Sequence, residues 1–115
     1  MRKIDDIKKL MQVSNLLRQT VIKMLLKAGS GHTAGPLGMA DIFACLYFNV
    51  AKHDPKKPDW ENRDRIILSN GHICPVRYAA MAFAGYFPMI FHVNPLNSHW
   101  CDRSTKDINI LNEFH

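Results

Sequence analysis

The sequence predicts an α/β fold, the beginning of a parallel-sheet domain that is mostly helical over the length present, and three features predict it. Apolar residues recur at helical spacing from about Ile4 to Ala28. A second helical stretch, Leu37 to Val50, is apolar almost all round. A short β-branched run, Arg65-Ile66-Ile67-Leu68-Ser69, then precedes a third helical stretch. The order helix, helix, strand, helix belongs to a layered α/β domain.

Each element follows from local chemistry. In the first, Ile7, Leu10, Met11, Leu17, Val21, Met24, Leu25 and Ala28 form one broad stripe, with Lys8, Lys9 and Lys23 mostly off it. The helix closes at Gly29, because glycine takes the left-handed conformation at little cost. Gly29-Ser30-Gly31-His32-Thr33-Ala34-Gly35 is a tight turn rich in glycine, and Pro36 is placed to open the second helix. That helix is expected to be buried on several sides and to need more cover than one small layer provides. His53 to Asp64 reads as a loop, since Asp54-Pro55 and Lys57-Pro58-Asp59 are turn chemistry. Arg65 to Ser69 fits a fully buried strand of a parallel sheet. Asn70-Gly71-His72 turns sharply, Pro75 opens a third helix from Val76 to about Ala84, and Gly85 ends it.

After Phe87 the chain changes character. All six glycines lie at or before Gly85, and no period survives beyond that point. Residues 1–87 are therefore expected to form the start of the domain and 88–115 an irregular, divergent tail.

With 115 residues there is room for one domain and a single core. A hydrophobic content of 47% with 22% charged residues argues against disorder. The basic start lacks an apolar run, so no secretory signal is expected. The longest apolar-rich run, Leu37 to Ala51, is too short to span a bilayer, so no membrane association is expected. Cys45, Cys74 and Cys101 are odd in number and widely spaced, which fits a reducing, cytoplasmic setting. The net charge of +5 is scattered, and no aromatic residues interleave with the first basic cluster. A solvated helix face is favoured over a nucleic-acid surface.

His32 and His72 are the candidate site residues. Each follows a glycine on a loop, and His72 lies just past the carboxyl end of the expected strand, where open α/β sheets bind ligands. The plainer reading makes both of them capping or turn residues. Gly29 and Gly31 read equally as a phosphate cradle or as a helix cap followed by a close turn. Asp64, between Arg63 and Arg65, fits a salt-bridged turn better than a catalytic acid, and Cys74 a small buried residue better than a nucleophile. His92, His99, Cys101 and Asp102 could be drawn as a zinc site, but they lack the paired spacing of metal clusters.

The run Ala28-Gly29-Ser30-Gly31-His32-Thr33-Ala34-Gly35-Pro36-Leu37-Gly38-Met39-Ala40-Asp41-Ile42 resembles the corresponding segment of transketolases. Further blocks follow in that family's order and spacing: Leu46-Tyr47-Phe48, Asp54 to Trp60, Asn62-Arg63-Asp64-Arg65, Leu68-Ser69-Asn70-Gly71-His72 and Tyr78-Ala79-Ala80. Several blocks in register over residues 10 to 87 are far more specific than one glycine-histidine turn. There are departures: Thr33 replaces the family's usual proline, Pro36 its usual serine, and Arg77 a common hydrophobic residue. Past residue 87 the family's third histidine and its glycine-aspartate-glycine metal motif are not found.

The resemblance implies the start of a thiamine-diphosphate-binding domain and a transferase of the pentose phosphate pathway. Such an enzyme moves a two-carbon ketol unit between sugar phosphates with thiamine diphosphate and Mg2+. It implies His32 at the sugar substrate and His72 at the cofactor, both catalytic, with no metal ligand supplied by this chain. It also implies a homodimer or a complementary transketolase subunit as partner. The chain is expected to be inactive alone, and the alternative is a catalytically inactive remnant or partner-binding fragment.

Overall fold

A computed structural model describes residues 3–87, and helices dominate it. The expectations for 88–115, the irregular tail and the His92, His99, Cys101 and Asp102 cluster, lie outside the described residues.

Helix α1 spans Ile7–Ala28. Asp6 caps its start by accepting from the Lys8 amide at 2.9 Å, and Gly29 ends it at φ 73°, donating to the Leu25 carbonyl. Leu17, Val21, Met24 and Leu25 are buried, so the expected stripe holds in the second half of the helix. Toward its start, Ile7 is 72% and Met11 65% exposed.

The second helical stretch is not one helix. Helix α2 covers Ala34–Gly38 and helix α3 covers Ala40–Cys45, followed by a widened π-helical turn, Leu46–Val50. Two glycines in the five residues of α2 weaken it, and Met39 breaks the regularity at φ −95°, ψ 0°. Pro36 sits inside α2 rather than at its first position, which is tolerated because the first amides of a helix have no partner within it. Ala40, Phe43, Ala44, Tyr47 and Phe48 are buried, whereas Ile42 is 49% exposed, so this stretch buries one broad face rather than several sides. Helix α4, Cys74–Ala84, follows a 3-10 turn at Gly71–Ile73 and ends at Gly85, φ 104°.

The core lies where α1 meets α3 and α4. Leu17 and Val21 interlock with Phe43, Val76 and Ala80, all almost without solvent contact. Each large side chain buried there contributes about 1.5–3 kcal/mol of transfer free energy. A second tie fastens α1 to α3: Arg18 donates to Ser14 Oγ at 2.9 Å and to Asp41 Oδ2 at 2.9 Å, while the Ser14 hydroxyl donates to Asp41 Oδ1.

The strand expected at 65–69 is not formed among the described residues. The described residues contain no strand; the segment has no regular structure, with Ile66 and Leu68 against the core and Ile67 85% exposed. A strand exists only through ladder hydrogen bonds to a neighbour, and the described backbone shows none at 65–69. Asp64 also differs from expectation. It holds a turn, but by accepting from the Lys52 amide at 2.8 Å and donating its own amide to the Lys52 carbonyl.

Candidate functional site

His32 stands on the turn between α1 and α2. Gly31 before it adopts φ 131°, and a Cβ there would lie 2.3 Å from Leu25 Cδ2. Glycine is thus required for the turn to fold back over the end of α1 and leave His32 exposed. His72 is the middle residue of the 3-10 turn, also exposed, with Ile73 and Cys74 buried directly after it. The buried pair anchors the turn, and the histidine projects from it.

The fold brings the two imidazoles together. Their ring centroids are 5.2 Å apart, with the planes tilted by 57°. Two exposed rings at this separation can address one small molecule from neighbouring points, each offering a nitrogen able to donate or accept a proton.

Gly29 resolves one ambiguity: its amide is spent on the Leu25 carbonyl, so it is a helix cap and not an anion cradle. Cys74 is buried and forms no disulfide, in agreement with a packing role. Among the described residues no group of three or more His, Cys, Asp and Glu is placed to hold a metal ion. No described helix is long and apolar enough to cross a membrane.

A third histidine was not singled out by its sequence setting. His53 donates from Nε2 to the Tyr47 carbonyl at 2.6 Å, which leaves Nδ1 of the neutral ring to accept from the Tyr86 hydroxyl at 2.6 Å. It stacks on Tyr86 at 12° and meets Tyr47 edge-on. Burial, with the Tyr47 and Asp54 oxygens nearby, pushes the Tyr86 phenol up to about 12. Burial also raises Tyr47, opposed by the Arg77 guanidinium beside it. Arg77, the residue standing where hydrophobic side chains are common, thus faces a phenol. A cleft of about 200 Å3 opens beside this knot, between Lys3, Lys52, His53 and Trp60, and neither His32 nor His72 lines it. The paired rings on the glycine turns carry more chemistry.

Residues 9–100 match the family described as transketolase, thiamine diphosphate binding domain. A 6-deoxy-6-sulfo-D-fructose transketolase subunit of Clostridium sp. (strain MSTE9) is 43% identical over 76 residues, which are 66% of this chain and 28% of that protein. The transketolase of Treponema pallidum (strain Nichols) is 46% identical over 70 residues, 61% of this chain and 11% of that protein. Transketolase 1 of Escherichia coli (strain K12) is 40% identical over 75 residues, again 11% of its length. The chain spans less than a third of each of these relatives. Its match to the family nevertheless runs through most of its own residues, and the chain belongs to the transketolase family, within the thiamine diphosphate binding domain.

Proposed function

We propose that this chain supplies the histidine side of a transketolase active site, in which a two-carbon ketol unit passes between sugar phosphates. The observation that carries the reading is the meeting of His32 and His72 at 5.2 Å on two independent turns. Bound thiamine diphosphate supplies the carbanion chemistry that side chains cannot. In this reading His32 binds the sugar beside its carbonyl and hydroxyls, and His72 faces the cofactor. Both hold or move protons at those oxygens, a contribution of about 10²–10⁴-fold for a well-placed acid–base group.

The exposed imidazole pair fits the sugar and the ring end of the cofactor. The described residues offer no acidic set for Mg2+, so the diphosphate and its metal are assigned to residues elsewhere. A second transketolase polypeptide, as dimer mate or complementary subunit, is the proposed partner. Leu26, 81% exposed, and Ile67, 85% exposed, support it, because each leaves a large apolar side chain uncovered. The sheet enters here too: residues 65–69 are proposed to become a strand beside one from that partner or from the remaining length. Cys45 and Cys74, neither of which forms a disulfide, suit a cytoplasmic location.

The test is complementation. The chain is combined with a polypeptide carrying the transketolase length that it does not cover, and ketol transfer between a ketose phosphate and an aldose phosphate is assayed. His32→Ala or His72→Ala lowers turnover by about 10²–10⁴-fold. Full activity with both substitutions in place overturns the proposal. The chain alone shows no binding of thiamine diphosphate with Mg2+ by calorimetry, and micromolar binding there overturns the assignment of the metal side to other residues. An inert complemented mixture favours the second reading, a partner-binding fragment without turnover, for which the uncovered apolar side chains also speak.

A further inference from the structure

We infer that the bare α-carbon of Gly35 is the seat that keeps His72 facing His32, making Gly35 a positioning residue that acts through Ile73. A Cβ built on Gly35 would lie 2.9 Å from Ile73 Cγ2, with His72 Cδ2 and Nε2 at 3.5 and 3.6 Å. The two imidazole distances are ordinary contact. The methyl distance is not, and something must move.

Three features decide what moves. Ile73 is branched at Cβ, so its Cγ2 cannot swing away without leaving a preferred rotamer, and the residue is only 6% exposed. Behind it Cys74, Pro75 and Val76 are buried, with the proline fixing the backbone at the start of α4. On the other side α2 is held by buried Pro36 and by the Met39 amide, which donates to the Gly35 carbonyl at 3.0 Å. The yielding part is the exposed end of the 3-10 turn, Gly71 and His72. A side chain at 35 therefore displaces the imidazole at 72. Gly35 does not adopt a positive φ, so alanine fits its backbone and the harm comes from contact alone.

The fold supplies its own control and its own rescue. Gly38 lies in the same short helix, yet a Cβ there meets nothing within 4 Å. Conversely, Ile73→Ala removes the Cγ2 methyl that an alanine at 35 would strike. The consequence for catalysis rests on the roles proposed for His32 and His72, whereas the seating itself does not.

The experiment is solution NMR on the whole chain, reading the cross-relaxation peak between the His32 and His72 ring protons, with thermal melts alongside. The peak is expected in the parent protein and in Gly38→Ala, lost in Gly35→Ala, and regained in Gly35→Ala/Ile73→Ala even if that double variant melts earlier. In the complemented enzyme Gly35→Ala lowers kcat by about 10²-fold, as a misplacement near 1 Å does, and the double variant recovers it. An undiminished peak in Gly35→Ala, or no recovery in a folded double variant, overturns the inference. A parent chain without the peak overturns it as well, together with the pairing that supports the proposed function. Loss of transfer activity in the His32 and His72 variants, with an unaltered peak in Gly35→Ala, leaves that function standing and removes only the seat.

Discussion

The described residues hold two imidazole arrangements of similar dimensions and opposite character. His32 and His72 face each other at 5.2 Å, exposed on turns made by glycine. His53 lies 5.6 Å from Tyr86 and 5.4 Å from Tyr47, but both of its nitrogens are bound to the protein. A half-buried ring with both nitrogens bound to the protein is a fastener, whereas the other two rings are exposed to solvent. The distinction lies in what surrounds each ring, since the side chain is identical.

The largest effect expected from this contrast is on stability. His53→Ala leaves the Tyr47 carbonyl and the Tyr86 hydroxyl without their partner and removes a stacked ring, costing about 2–4 kcal/mol in urea unfolding. His32→Ala costs less than about 0.5 kcal/mol, as exposed substitutions do. Equal losses for the two would erase the distinction.

A smaller effect tests the knot by pH. The Tyr86 phenol titrates at about 12 in the fold, against an ordinary value of 10.0. Between those values the folded chain keeps a proton that the unfolded chain has released, so stability is full below 10.0 and falls as pH rises toward 12. Tyr86→Phe removes that alkaline step and costs about 1 kcal/mol at neutral pH, for one hydrogen bond. An unchanged alkaline limb in circular-dichroism melts of this variant would place the titration elsewhere.

The smallest effect concerns the Ser14–Arg18–Asp41 tie, a third polar cluster more exposed than the knot. Hydrogen bonds from Ser14, and then from Arg18, hold the Asp41 carboxyl below its ordinary value of 3.8. The stabilisation is full above 3.8 and is lost as pH falls through the lower value of the folded state. Exposure of the Asp41 side chain keeps the effect within the range of about 0–1 kcal/mol found for surface pairs. Asp41→Asn is expected to flatten the acid limb of the stability profile slightly, and a loss comparable to that of His53→Ala would show the tie to be part of the core.

What the sequence disclosed tracks how local each determinant is. Gly29 and Gly85 end their helices as read, because a left-handed cap is decided by the residue that occupies it. Leu17, Val21 and Phe43 were legible as core from their spacing. The break at Met39 was not, since it depends on how the weak helix former Gly38 shares a turn with the buried Ala40. The strand at 65–69 is unformed among the described residues for a related reason: β-branched composition signals a willingness to pair, and pairing needs a neighbour. The two candidate histidines were visible because glycine precedes each one and both fall within the blocks that carry the family resemblance. Their meeting, and the knot that joins His53 to Tyr86 across the fold, are tertiary facts that no local pattern carries.

The outward placement of Ile67 also bears on handling the protein. A β-branched run with a bare isoleucine invites a second chain to add alongside it. Self-association through that run is expected to grow with concentration, so the monomer yield is expected to fall as expression is raised and to recover when the partner proposed above is produced in the same cell.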